Sequence, residues 1–349
     1  VLGNYAELRK QAGKPFRVNV GNNSHFIVKY DETLLNDILD SAADLDAIDQ
    51  MQILQDLRLL AEASQVKYAS VFPVLKRFAS SESSVVIDGL YRLAVKFKEF
   101  VTPGSEAETD LRNFFNTLSS AQVARLGWQP KTGESNDDQL SRPTVLSASL
   151  YGKNADSIKA AHAIFVENQD NLIAVSADTR ALVLANEVEN YGSQELFDKL
   201  LVQYQKTSDA SYKRDLAYAA TKVKEPALIK ELVDKFEDSE TVKPQDLRAW
   251  FAGTLANNAG QQAAWDWIRN DWQWLEDTVG GDMEFATFIT VIARTFHTAP
   301  RLAEFKAFFE PKLNTPGLTR EIQMDTKTIA TKVALIESER ESIANALKK

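Results

Sequence analysis

Along most of the chain the apolar residues return every three or four positions, the period of a helix with one buried face. Ile48, Met51, Leu54, Leu57 and Leu60 share such a face. Asp46 opens that segment with Asp49 three residues on, an acidic first turn that suits the positive end of the helix dipole. Val86, Leu90, Leu93, Phe97 and Phe100 mark a second face, which ends at Thr-Pro-Gly. The same pattern predicts helices over 144–151, 155–167, 176–190, 193–206, 209–221, 226–236, 245–258, 261–276, 283–295, 301–311 and 319–345. Only the beginning follows another rule. In HFIVKYDETLLNDIL, residues 25–39, Phe26, Val28 and Tyr30 alternate as in a half-buried strand, and Leu34, Leu35, Ile38 and Leu39 then fall at helical spacing. KPFRVNV at 14–20 also alternates, and the turn-forming Gly-Asn-Asn-Ser joins the two, so residues 14–30 are predicted to form a β-hairpin. A lone hairpin is marginal in water. Either it packs on the helices as an accessory, or it ends a sheet whose other strands precede Val1. Open strand edges would also invite pairing between molecules through residues 14–30.

Many helices of about three or four turns with short connections, in a chain too long for a simple bundle, predict a mainly α fold. The expected architecture is an α–α superhelix of stacked HEAT-like helical hairpins over 32–349, preceded over 1–31 by a short β-strand stub. No tight sequence repeat accompanies it, so the repeats would be structural. Several predicted helices stop at glycine, namely Gly152, Gly192, Gly260 and the pair Gly280 and Gly281, as helices with left-handed caps do. The long irregular segment is GWQPKTGESNDDQLSRP, residues 127–143, whose polar composition reads as a solvated surface loop.

The formal charge is -9, and Lys and Arg are scattered rather than gathered in a stripe, so the chain carries no electrostatic footprint for nucleic acid. It has no cysteine, which excludes disulfides, a thiol nucleophile and thiolate metal ligands. No apolar run approaches the roughly 20 residues that cross a bilayer. No membrane contact is expected, and a cytoplasmic location fits.

Candidate chemistry is sparse. A zinc hydrolase needs ligands that converge, commonly two histidines one helical turn apart. The three histidines, His25, His162 and His297, are far apart in sequence and read as structural or exposed. Neither a Gly-x-Ser-x-Gly elbow nor a phosphate-binding Gly-Lys-Ser/Thr loop occurs. Gly280 and Gly281 precede Asp282, which would repel a phosphate, so they read as a helix stop and restart. Asp137 with Asp138, and Glu337 with Glu339, are carboxylate pairs of a kind that an acidic protein holds on solvated faces. WDWIRNDWQW, residues 265–274, holds four of the six tryptophans. Positions 265, 268, 272 and 275 share a helical face, which predicts packed core rather than a stacking platform, and Trp267 and Trp274 on the other face should be covered by a second helix.

Several segments nevertheless resemble one family, the gluzincin aminopeptidases of the aminopeptidase N type, and in particular its members from lactic-acid bacteria. Asn19, Ile27, Val28, Tyr30 and Asp31 fit the run with which that family leaves a small β-sandwich domain and enters a C-terminal helical domain, although His25 and Lys29 replace its usual glycine and asparagine. Leu126, Gly127, Trp128, Pro130, Gly133, Glu134, Leu140 and Arg142 are similar to a later signature of the family, with Ser141 separating the last two. DASYKRDLAYAATKVKEPAL (209–228), VKPQDLRAWFAGTLANNAGQQAAWDWI (242–268) and RLAEFKAFFEP (301–311) follow in the family's order. The tryptophan usual near the end is missing around Val333 to Leu335.

The resemblance implies a non-catalytic C-terminal domain of a zinc-dependent aminopeptidase, an enzyme that removes N-terminal amino acids from peptides. Zinc, its His-Glu-x-x-His helix and the catalytic residues would lie before Val1, and none is carried onto this chain: no catalytic, cofactor-binding or metal-binding residue is expected here. The implied partners are the upstream catalytic and β-sandwich domains of the same polypeptide and the peptide substrate. The implied work is to cap the active-site cleft, limit peptide access and stabilise the enzyme. Trp128, Glu134 and Arg142 are the structural candidates, with Glu134 and Arg142 as an ion pair holding the 127–143 segment. A free-standing helical-repeat adaptor that binds peptides or proteins is the alternative, and an enzyme with its own carboxylate site is a third reading that no converging set of residues supports.

Overall fold

A computed structural model describes residues 16–41, 45–281 and 285–348. Among them are 17 α-helices and no β-strand. The chain divides into two compact units: residues 1–101, 106–148 and 341–349 form the first, and residues 102–105 and 149–340 the second.

The first unit contains α1 (Glu32–Asp40), α2 (Ala47–Glu62), α3 (Phe72–Phe78), α4 (Ser84–Val95), α5 (Glu106–Leu126) and most of α6 (Asn136–Tyr151). Local chemistry sets two of its starts. The Asp31 carboxylate accepts the Leu34 N–H at 2.8 Å, and that of Asp46 accepts the Asp49 N–H at 2.9 Å, each satisfying a donor that the first helical turn leaves free. Helix α4 packs against α2 and α3. Beside them an aromatic cluster fills the core: Phe72 stacks on Phe97 at 4.2 Å, Tyr68 and Phe114 meet these rings edge-on, and Phe100 lies tilted against Tyr68.

The expected hairpin does not form a ladder among the described residues; Lys14 and Pro15, where it would begin, lie outside them. Residues 16–31 run as turn and extended coil against α2. Asn19, Gly21 and Asn22 all have positive φ, which bends the chain into a short 3-10 turn where the strand pattern predicts continuation. Carboxylates of α2 then take up backbone donors that a ladder would have used. Asp49 accepts the Gly21 N–H at 3.0 Å and Asp56 accepts the Val28 N–H at 3.1 Å. Tyr30 ties the segment to itself through its hydroxyl, which accepts from the Val18 N–H at 3.1 Å.

The second unit contains α7 (Ala155–Glu167), α8 (Ala177–Tyr191), α9 (Gln194–Lys206), α10 (Ala210–Ala220), α11 (Pro226–Asp234), α12 (Pro244–Ala256), α13 (Gln261–Asn270), α14 (Trp272–Val279), α15 (Thr287–Thr295), α16 (Ala299–Phe309) and most of α17 (Thr319–Leu347). Helices α8, α10, α12 and α15 touch one another in succession, while α7 pairs with α8, α9 with α10 and α13 with α12. Caps again mark the starts: Asn154, Ser193 and Asp209 each accept a backbone N–H from the first turn of the helix that follows. Proline stands at the beginning of α11 and α12, where its missing N–H costs nothing.

Three expectations are revised. The predicted 261–276 helix is two helices, broken at Asp271 (φ −110°, ψ 22°). Trp265, Ile268, Trp272 and Leu275 are nonetheless all buried, as their shared face requires. Trp265 packs edge-on against Phe296 at 5.1 Å, and Trp272 lies against Phe285, also at 5.1 Å. Trp267 is covered separately, by Phe236 after α11 and Phe251 of α12, and Trp274 lies edge-on to it. Second, Gly192, Gly260 and Gly280 all have negative φ, so they are not left-handed caps; after α6 the left-handed residue is Lys153 (φ 56°). Third, the 127–143 segment is a loop only to Ser135, because α6 starts at Asn136 and carries Pro143 within its length. Helix α5 is absent from the sequence-based elements; its buried stripe is completed by two polar residues, Ser119 and Gln122.

Candidate functional site

The family-like signature forms a polar clasp in the first unit, between the end of α5 and the start of α6. Helix α5 stops at Gly127, whose positive φ (65°) allows the reversal and whose N–H closes onto the Val123 carbonyl at 2.9 Å. Gly133 (φ 76°) provides the second sharp turn. Together they bring Glu134 back to Arg142, one turn and a half into α6. The pair is bidentate: Arg142 Nη1 donates to Glu134 Oε1 at 3.0 Å, and Nη2 donates to Oε2. Arg142 is completely buried, and its Nη2 also reaches the Leu126 carbonyl at 3.5 Å. Glu134 further accepts the Lys131 N–H at 3.1 Å. The Arg142 guanidinium holds the Glu134 carboxyl below the usual carboxylate range. Trp128 is buried beside this loop, its indole N–H without a partner among the described residues.

The clasp reaches outward through neighbours that sequence reasoning treated as solvated. Arg125 on α5 pairs with Asp138 on α6 and receives support from Gln122, whose amide donates to the Ala79 and Ser81 carbonyls at 3.2 and 2.6 Å. Asp137 accepts the Ser84 N–H at 2.8 Å and its hydroxyl at 2.5 Å, which fastens α6 to the first residue of α4 and lowers the Asp137 pKa. Asp137 and Asp138 therefore bind separate partners. Glu337 is exposed and Glu339 buried, so these two do not converge either.

The histidines stay apart. His162 stacks on Tyr191 at 3.9 Å and its Nδ1 lies 2.8 Å from the buried carboxylate of Glu187. His297 Nδ1 is 2.8 Å from the Thr295 carbonyl oxygen, and His25 is exposed on the extended segment. Among the described residues no three histidine, aspartate or glutamate side chains are placed to hold a metal ion. Among the described residues this donor set does not fit zinc. Asp282, which follows the glycine pair, lies outside the described residues.

Polar centres that the sequence did not single out lie elsewhere. In the first unit, Arg17 meets the buried Asp49 at 2.6 Å and pulls its pKa down. In the second, Glu189 of α8 faces Lys153 and Lys224. Burial pushes its carboxyl up, but the hydrogen bond and charge of these lysines outweigh burial and hold it below the usual range. Lys222 lies over the Tyr218 ring at 4.4 Å, and burial lowers its pKa against the attraction of Glu189. Arg180 of α8 holds Asp215 of α10 at 2.7 Å. Their sequence signal is weak, because single charged residues on amphipathic helices look alike until the partner helix is known. No helix among the described residues is long and apolar enough to cross a membrane.

Comparison with known proteins gives this arrangement a context. The chain is 59% identical over 348 residues to the Aminopeptidase N of Lactobacillus helveticus, an alignment that covers 100% of the chain and 41% of that protein. It is 58% identical over 346 residues to the Aminopeptidase N of Lactobacillus delbrueckii subsp. lactis, with 99% and 41% covered. With the Aminopeptidase N of Lactococcus lactis subsp. cremoris it shares 40% identity over 339 residues, 97% of the chain and 40% of the relative. The chain thus spans about two fifths of the length of the relatives it matches. Residues 16–331 match the model of the ERAP1-like C-terminal domain, and the chain belongs to that family.

Proposed function

We propose that this chain is the non-catalytic C-terminal domain of a zinc-dependent aminopeptidase that removes N-terminal amino acids from peptides. The observation that carries the reading is the match of nearly the whole chain to a C-terminal domain family, together with its coverage of only 41% of relatives named Aminopeptidase N. Zinc and the residues that act on the scissile bond would belong to the part of such a protein that this chain does not match. The chain would work by shape: its helices form HEAT-like hairpins that cap the active-site cleft, limit which peptides enter and stabilise the enzyme, in a cytoplasmic setting. The succession α8, α10, α12 and α15 with partner helices alongside supports a stacked arrangement within the second unit. Residues 1–31 would be the end of a β-sandwich domain, with 32–349 as the helical domain. Trp128, Glu134 and Arg142 would keep the α5 to α6 corner rigid.

The test is incubation of the isolated chain with an amino-acid anilide and zinc. No turnover is expected. Turnover that follows the chain through purification would overturn the reading.

A further inference from the structure

The first unit holds a cavity of about 310 Å³ between α1, α2 and the extended segment before α1. Its walls are mainly apolar, from Val28, Leu35, Leu39, Ile53 and Leu57, and its volume is that of a small-molecule site. One wall is different. Asp56 lines the cavity although it is only 7% exposed. Its Oδ2 accepts the Val28 N–H at 3.1 Å. Among the described residues no lysine, arginine or histidine forms an ion pair with it, and Arg17 is paired with Asp49. The Gln52 amide, one turn earlier on α2, stands close enough to favour the charged carboxylate, but it is neutral and supplies no counter-charge. Burial pushes the Asp56 carboxyl up, against the opposing pull of the Val28 N–H and the Gln52 amide.

A buried carboxylate without a counter-ion is costly: it either takes up a proton or is completed by something positive, and a cation entering this cavity would relieve that cost. The exposed Glu32 adds a second carboxylate to the same lining, and the Tyr30 hydroxyl is already committed to Val18. The lining has no cation to receive an anion. We propose that this cavity is a binding site for a small primary ammonium ion carried on an apolar body, with Asp56 as its counter-ion. The apolar walls take the hydrocarbon, and the ammonium replaces the missing partner of the carboxylate. A neutral molecule of the same shape would gain the first contribution but not the second.

The probe is phenethylamine, titrated into the full 349-residue chain by calorimetry, with 2-phenylethanol as its neutral counterpart. The amine is expected to bind at least about tenfold more tightly than the alcohol, the margin of one charge-assisted hydrogen bond. Asp56→Asn keeps an acceptor for the Val28 N–H but removes the charge, and should erase that margin while leaving the alcohol unaffected. Asn36→Trp, a change at an exposed position on the lining, should weaken both ligands. Equal binding of amine and alcohol to the unaltered chain, or binding of neither, overturns the proposal even if Asp56→Asn fails to fold. An amine margin that survives in a folded Asp56→Asn chain overturns it as well.

Discussion

Gly253 offers a test in which local propensity and tertiary packing predict opposite signs. It lies inside α12, where replacing glycine by alanine ordinarily stabilises a helix by about 1 kcal/mol. Here a methyl group at Gly253 would stand 2.5 Å from Thr221 Oγ1, 2.8 Å from its Cγ2 and 2.9 Å from its Cβ. The nearness of Cβ means that no rotation of the threonine relieves the overlap. Thr221 ends α10, donates to the Tyr218 carbonyl at 2.8 Å and is itself buried. Asn257, just beyond α12, binds the Thr221 and Val223 carbonyls at 2.9 and 2.7 Å, so the two helix ends cannot part without straining these bonds. Overpacking of this kind costs about 1–3 kcal/mol, and weakening the Asn257 bonds adds up to about 1 kcal/mol. At the middle of these ranges, after the propensity gain, Gly253→Ala should destabilise the second unit by about 1–2 kcal/mol. That corresponds to a fall in Tm of roughly 2–8 °C, read by scanning calorimetry. The double change Thr221→Gly with Gly253→Ala should restore the normal sign, alanine then being favourable relative to the Thr221→Gly single variant. A higher Tm for Gly253→Ala alone would refute the close approach of α10 and α12.

Arg142→Ala should lower the Tm of the first unit by several degrees, because it removes the guanidinium that Glu134 and the Leu126 carbonyl share, and Arg142→Lys should not fully restore it since the fork is lost; an unchanged Tm for the alanine variant would count against a role for the clasp. Acid should act on the same corner. The folded-state pKa values of Glu134 and Asp137 are lowered, so their stabilisation is present above the unfolded values near about 4 and is lost as pH falls through the depressed folded values. Calorimetric scans from neutral to strongly acid pH should show that loss, and Asp137→Asn should make the acid limb shallower; an identical limb would remove Asp137 from the account. Trp265→Ala, at a fully buried position, should cost about 3–5 kcal/mol, whereas Trp274→Ala at a half-buried one should cost distinctly less. Equal losses in urea unfolding would contradict the division of the tryptophans into core and flank.

What the sequence made legible was whatever acts through near neighbours. Helical periodicity located most helices, and Asp46 announced its cap because the donor it satisfies is only three residues away. The tryptophan faces were readable for the same reason, even though Asp271 breaks the helix, since Trp265, Ile268, Trp272 and Leu275 remain buried across the break. Partners distant in sequence were not readable. Val20, Val28 and Tyr30 sit in an alternating pattern, yet Asp49 and Asp56, some 28 positions on, capture the backbone donors of Gly21 and Val28. The 127–143 segment looked solvated because its composition is polar, while the polar groups are spent on one another: Arg142 on Glu134, Arg125 on Asp138, Ser84 on Asp137. Helix α5 escaped because Ser119 and Gln122 occupy buried positions that a hydrophobic pattern leaves blank. Only the family resemblance pointed to Glu134 and Arg142 as a pair.

In the proposed function this chain limits access to a catalytic centre that lies outside it. That role is tested most directly by measuring kcat/KM for an amino-acid anilide and for a series of peptides of increasing length, using the upstream part of the proposed parent enzyme with and without this chain added. The account predicts anilide cleavage in both preparations, none by the chain alone, and discrimination among peptide lengths only when the chain is present. The same length profile with and without the chain, or anilide cleavage by the chain alone, would contradict it.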